Sequence, residues 1–207
     1  MARSKSSSRW ISRHMRDHYV TKAKAEGYRS RAVYKLQEID SKYQIFQPNQ
    51  FIVDLGAWPG AWCQYVVRNV AGTSGKVIGL DILEMEPIEG VCFIQGDFTE
   101  DETLEQLVSS LNNHPVDLVL SDIAPNISGN KAVDQPKSMY LAELALDFAR
   151  QNLVEGGVFA VKLFQGEGYA PYIQDLRSSF KRVTTFKPQA SRKESREMYA
   201  VARDFEL

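Results

Sequence analysis

The sequence predicts an α/β fold, a mostly parallel sheet with helices on both faces. Three observations predict it. Short, nearly continuous apolar runs alternate with helical patterns, as strands buried on both sides require. A glycine turn or an acid follows each of four successive strands. The 207 residues, 43% hydrophobic and 25% charged, suffice for one good core and not for two large domains.

Each element has a local reason. Residues 30–43 (SRAVYKLQEIDSKY) space Val33, Leu36 and Ile39 as a helix does, and Pro48 and Asn49 end the region. FIVDL (51–55) reads as a buried strand, and AWCQYVVRNV (61–70) as a helix closed by Gly72. KVIGLD (76–81) and VCFIQGD (91–97) read as strands. DETLEQLVSSL (101–111) is a helix with acids in its first turn, where the helix dipole favours them. VDLVLSD (116–122) is a strand, residues 136–153 a long helix, and GGVFAVKLF (156–164) a strand. A helix over 169–180 precedes two strands, RVTTFK (182–187) and EMYAVAR (197–203). No helical pattern separates these two, so one of them is expected to be an antiparallel addition at an edge.

Composition excludes several classes. No run approaches 18 apolar residues, so no membrane-spanning helix is expected. Cys63 and Cys92 are too few for a disulfide framework or a four-cysteine zinc site, and a reducing, cytoplasmic compartment fits them. His14 and His18 have a metal-ligand spacing but no third partner, so no metal is expected. Net charge is −1, yet residues 1–35 hold ten Lys/Arg against two acids. The remainder holds fifteen basic and twenty-four acidic residues. A basic arm on an acidic body points to a polyanion partner. The Arg/Ser-rich, acid-free start also fits a mitochondrial targeting segment, but the basic character runs on to Lys35. The division is therefore a basic arm over 1–25, whose order the sequence leaves open, and a single domain over 26–207.

Open sheets bind ligands at the carboxyl ends of their strands. The first strand ends in Asp54-Leu-Gly56-Ala-Trp-Pro-Gly60-Ala-Trp62, a glycine turn that is neither G-x-G-x-x-G nor a P-loop. The second ends at Asp81, placed to accept hydrogen bonds from both ribose hydroxyls. The third ends in Asp97-Phe98, an acid and a ring suited to adenine. The fourth ends in Asp122. Any one of these acids serves equally well as a turn former. Together they imply a ligand with adenine and ribose but little negative charge. S-adenosylmethionine fits better than NAD. Lys162 interrupts an apolar strand, which is costly unless it is paired or functional. Lys35 and Glu197 are further charged groups that the chain can bring to Asp122 and Lys162.

These segments resemble the FtsJ-type RNA ribose 2′-O-methyltransferases. The resemblance rests on SRAVYKLQEID, VDLGAWPGAWCQY, GLDILEMEPI, QGDF, DLVLSDIAPNISG, VKLFQGEG and SRKESREMYAVA, which run from about residue 26 to the end. It implies a Rossmann-like S-adenosylmethionine-dependent methyltransferase fold with a seven-stranded, mostly parallel sheet. It implies a catalytic tetrad at Lys35, Asp122, Lys162 and Glu197, and cofactor contacts at Gly60, Trp62, Asp81, Asp97 and Asp122. Gly56 and Phe98 join the cofactor set from the reading of the strand ends. The implied reaction is methyl transfer to the 2′-hydroxyl of a uridine in large-subunit ribosomal RNA, free or in the assembled large subunit. The RNA is expected on the basic arm and on Lys181, Arg182, Lys187, Arg192, Lys193 and Arg196, with Trp10 and Tyr199 as candidate base-stacking rings and Tyr199 equally a candidate core residue. A monomer is expected. An oxidoreductase on the same sheet, a non-catalytic ribosome assembly factor and the same chemistry on transfer or messenger RNA stay open as alternatives.

Overall fold

A computed structural model describes residues 17–69 and 75–206. Trp10 and His14 lie outside them. The described chain builds α1 (His18–Ala25), α2 (Val33–Tyr43), β1 (Phe51–Leu55), α3 (Ala61–Asn69), β2 (Lys76–Asp81), β3 (Val91–Gln95) and α4 (Asp101–Ser110). It continues with β4 (Val116–Ser121), α5 (Lys131–Asn152), β5 (Leu153–Phe164), α6 (Tyr169–Leu176), β6 (Phe180–Phe186) and β7 (Glu197–Phe205). The seven strands form one sheet in the order β3-β2-β1-β4-β5-β7-β6. β1 to β5 pair in parallel, and β7 pairs antiparallel with both β5 and β6.

Alternation along the strands divides the core in two. Val53, Leu55, Val119, Val161 and Ala200 face α4, α5 and α6. Ile52, Leu118, Leu120, Ala160, Tyr199 and Val201 face α2 and α3. Strand order reverses between β1 and β4, so the cleft opens at the ends of these two strands.

Four expectations are corrected. β7 is the antiparallel strand, but it lies inside the sheet and β6 takes the edge. Its residues 199–202 are fully buried, and that apolar run gains most between two neighbours. Residues 18–25, assigned to the arm, form α1 and pack on the domain. Asp17 caps this helix, accepting from the Tyr19 N–H at 3.0 Å, and Ala23 is buried beside Val33 and Tyr34. The long helix begins at Lys131 rather than Pro136, because Asn130 caps it and accepts from the Ala132 N–H at 3.1 Å. Pro136 then removes only one helical hydrogen bond. The helix expected to reach residue 180 stops at Leu176, because Phe180 turns into the core between Phe159 and Phe205.

Candidate active site

Register assembles the charged groups expected to be catalytic. Asp122 follows Leu118 and Leu120 in alternation, Lys162 follows Ala160, and Tyr199 and Glu197 precede Val201, so all four sit on the α2/α3 side. Pairing sets Lys162 opposite Tyr199 and Phe164 opposite Glu197. α2 delivers Lys35 from above. The result is two ion pairs: Lys162 Nζ lies 3.0 Å from Asp122 Oδ1, and Lys35 Nζ lies 2.8 Å from Glu197 Oε1. The Lys162 ammonium also donates to the Asp122 main-chain oxygen at 2.5 Å. Tyr199 stands between the pairs. Its hydroxyl donates to Asp122 Oδ1 at 2.5 Å, and Lys35 Nζ lies 5.7 Å from its ring centre.

Burial alone would raise the Asp122 carboxyl. The Lys162 and Lys35 ammoniums and the Tyr199 hydroxyl outweigh it and hold the group below the usual carboxylate range. Burial pushes the Tyr199 hydroxyl up, and the Asp122 and Glu197 charges add to this, so it stays a donor. Beneath the cleft, burial pushes the fully enclosed Asp54 up to about 7, against the hydrogen bond it accepts from Cys63 and with the charges of Asp122 and Asp81. The Cys63 thiol donates to Asp54 Oδ2 at 3.2 Å, while Asp54 Oδ1 is buried without a partner.

The glycine turn closes against β4. Gly56 has φ +80°, and a Cβ there would stand 2.7 Å from the Ile123 main chain. Only glycine admits this approach. Asp81 braces the turn from β2. One carboxylate oxygen accepts from the Trp58 N–H and the other from the Leu83 N–H, each at 2.9 Å. A carboxylate has about four acceptor positions, so two remain for ligand hydroxyls. Asp97 Oδ1 accepts from both the Thr99 N–H and hydroxyl, at 2.9 and 2.8 Å. Trp58, Ile82 and Leu83 are exposed around Asp81, an apolar rim for an aromatic base.

Two expected cofactor contacts have their side chains in the core, which leaves their main chains at the cleft as the part that could meet a ligand. The Phe98 ring packs edge-on against Phe148 and is 5% exposed, which leaves no free face for adenine. Trp62 is 3% exposed, donates from its indole to the Ala32 carbonyl at 2.8 Å and leans on Tyr199. It ties α3 to the start of α2. The basic stretch is also divided. Lys181 and Arg182 lie at the far end of β6 and pair with Glu206 and Asp204. Lys187 to Arg196 stay near the site. A cavity of about 480 Å³ opens beside the tetrad, lined by Arg31, Lys35, Gln135, Arg192, Arg196 and Glu197 among others.

Sequence reasoning missed three participants. Tyr199 is fully buried, so it cannot stack on a base; its hydroxyl serves Asp122, and its place opposite Lys162 comes from strand pairing that the sequence does not show. Asp134 accepts from the Ser128 N–H and hydroxyl and from the Gly129 N–H, pinning the loop after β4 to α5. Arg29 grips the cofactor loops through main-chain carbonyls, which leave no trace in a sequence.

Comparison with known proteins covers this same span. The FtsJ-like methyltransferase family profile matches residues 28–205. A protein of Francisella tularensis subsp. novicida (strain U112), named ribosomal RNA large subunit methyltransferase E, is 52% identical over 205 residues, 99% of each chain. One of the same name from Cellvibrio japonicus (strain Ueda107) is 52% identical over 205 residues, 99% of this chain and 97% of its own. A crystal structure from Plasmodium falciparum, described as a ribosomal RNA methyltransferase, superposes with a TM-score of 0.76 at 35% identity, covering 86% of this chain and 98% of the other. With the strand order, the braced glycine turn and the paired lysines all inside the matched span, the chain belongs to the FtsJ-like methyltransferase family.

Proposed function

We propose that the chain transfers a methyl group from S-adenosylmethionine to the 2′-hydroxyl of a uridine ribose in large-subunit ribosomal RNA. The observation that carries this reading is the meeting of two lysine–carboxylate pairs at the ends of β4, β5 and β7, beside the braced glycine turn. The cofactor's fit rests on the spare acceptors of Asp81, the second oxygen of Asp97, the exposed apolar rim and the side-chain-free approach at Gly56. Gly56, Gly60, Asp81, Asp97 and Asp122 would hold it. When bound, it supplies an electrophilic methyl group on a sulfonium sulfur.

The residues of the chain prepare the nucleophile. Lys162 is the general base. To act so, the Lys162 ammonium must first give up a proton; the neutral amine then has two hydrogens and one lone pair. Two hydrogens suit the two Asp122 acceptors that Lys162 already meets, and the lone pair is left for the ribose hydroxyl. Lys162 would accept the hydroxyl proton at Nζ as the ribose oxygen becomes the nucleophile toward the methyl group that the cofactor would supply. Asp122 stays anionic and steadies the ammonium that results. Glu197 holds Lys35 where it can meet the developing alkoxide or the adjacent phosphate. Much of the rate then comes from alignment of hydroxyl, methyl and sulfur.

The relatives' names support large-subunit ribosomal RNA as the substrate. The test is transfer of labelled methyl to isolated large ribosomal subunits that lack their native 2′-O-methyl groups, followed by mapping. One labelled 2′-O-methyluridine supports the reading. Bound cofactor without label moves the substrate to another RNA. Neither label nor cofactor binding overturns the reading.

A further inference from the structure

Arg29 lies in the turn between α1 and α2, outside the catalytic groups. Its guanidinium reaches two loops at once. Nη1 donates to the Pro59 carbonyl at 3.2 Å, inside the glycine turn. Nη1 also donates to the Glu86 carbonyl at 2.6 Å, and Nη2 to the Pro87 carbonyl at 2.9 Å, both in the loop after β2. The Arg29 N–H donates to Gln64 Oε1 at 2.8 Å, which fixes the turn to α3. Gly60 packs beneath this grip: a Cβ there would stand 2.6 Å from Ile88, 2.8 Å from Met85 and 3.1 Å from Arg29 Nη1. The guanidinium thus closes from outside the two loops that Asp81 ties together from inside.

The same segment faces the other ligand. Ser30, Arg31, Ala32 and Lys35 line the cavity beside the tetrad, and the Ala32 carbonyl is anchored by the Trp62 indole. Seven residues, 29 to 35, therefore join the two proposed binding sites, with Arg29 on the cofactor side and Lys35 on the RNA side.

We propose that Arg29 is a positioning residue that couples the two sites, so that bound cofactor and bound RNA each tighten the other. The inference rests on the methyltransferase reading above. The sign follows from the geometry. Both ligands need residues 29–35 in one arrangement, so the first to bind orders what the second would otherwise have to order. Linkage makes the effect equal in both directions. A planar guanidinium can fork to carbonyls on two loops, whereas a lysine ammonium is a point charge without that geometry.

The experiment measures affinity for S-adenosylhomocysteine, which cannot react, with the full chain alone and with saturating large ribosomal subunits. Wild type is expected to bind it several-fold tighter in the presence of subunits. Arg29→Ala is expected to weaken binding to the free chain about tenfold and to bring the subunit effect close to one. Arg29→Lys keeps the charge and is expected to lose most of the coupling. The kinetic loss falls on KM for the cofactor more than on kcat. A melting temperature far above the assay temperature confirms that folded protein is compared. Wild-type affinity in Arg29→Lys, or a subunit effect of one in wild type, overturns the inference. Absence of binding to wild type under both conditions instead overturns the reading on which it rests.

Discussion

Single residues here do opposite things with burial. Asp122 and Asp54 are both carboxylates taken out of water on the same side of the sheet. Asp122 meets two ammoniums and a hydroxyl and is held low, whereas Asp54 meets only a thiol and two distant carboxylates and rises to about 7. The sign of each pH effect follows. Asp122 contributes stability above its unfolded pKa of about 4, lost as pH falls through its lower folded value. For Asp54 the folded chain keeps a proton that the unfolded chain releases above about pH 4, so stability falls as pH rises from there towards 7. Asp54→Asn mimics the protonated acid and removes that slope. Thermal unfolding between pH 5 and 8 is expected to show a declining melting temperature in wild type and a flatter one in the variant. Equal slopes would remove Asp54 from the account. Lys162→Ala is expected to lower methyl transfer about 10²–10⁴-fold, the usual worth of a general base. Cofactor affinity, measured separately, should stay within about threefold; retained transfer would reassign the base.

At the level of elements, the first glycine turn is limited by its neighbour strand. Gly56 combines a left-handed backbone with main-chain atoms of Ile123 where a Cβ would fall. Gly56→Ala adds about 1–2 kcal/mol for the backbone alone, and the contact adds more because main chain cannot move aside. Urea titration of the variant is expected to show a loss of a few kcal/mol, together with weakened cofactor binding. A variant as stable as wild type would mean that the β4 end is not packed on the turn. The loop after β4 is held differently, by Asp134 accepting three hydrogen bonds, and tolerates exposed Ile127 as a result.

For the whole molecule, charge separation bears on the proposed encounter with RNA. The rim holds Arg31, Lys35, Arg192 and Arg196, of which Arg31 pairs with Asp17 and Lys35 with Glu197, while Lys181 and Arg182 stand at the opposite end, paired with Glu206 and Asp204. Residues 1–16 add five further Lys/Arg and no acid. Each phosphate contact contributes about 0.7–0.9 to the slope of log affinity against log salt. A chain lacking residues 1–16 is expected to bind RNA more weakly at low salt and with a shallower slope. Measured methyl transfer at saturating RNA should change far less. An unchanged slope would place the RNA elsewhere.

The sequence by itself determined the strands, the α/β class and the acids and glycines at the strand ends, and through its family resemblance it pointed to the four charged residues proposed as the tetrad. These are local patterns: an apolar run, a costly Lys162 inside one, an acid where a strand stops. Tertiary structure alone decided which of them meet. Alternation shows that Lys162 and Tyr199 share a face, but only pairing of β5 with β7 sets them opposite each other. Strand order is a non-local choice, which is why β7, last in the chain, lies inside the sheet. Side-chain burial put the Phe98 and Trp62 rings in the core, which sequence could not show, because a ring beside a strand end looks the same whether it points to the cleft or the core. Arg29 was illegible for a simpler reason: its partners are carbonyl oxygens, which every residue carries and no residue type announces.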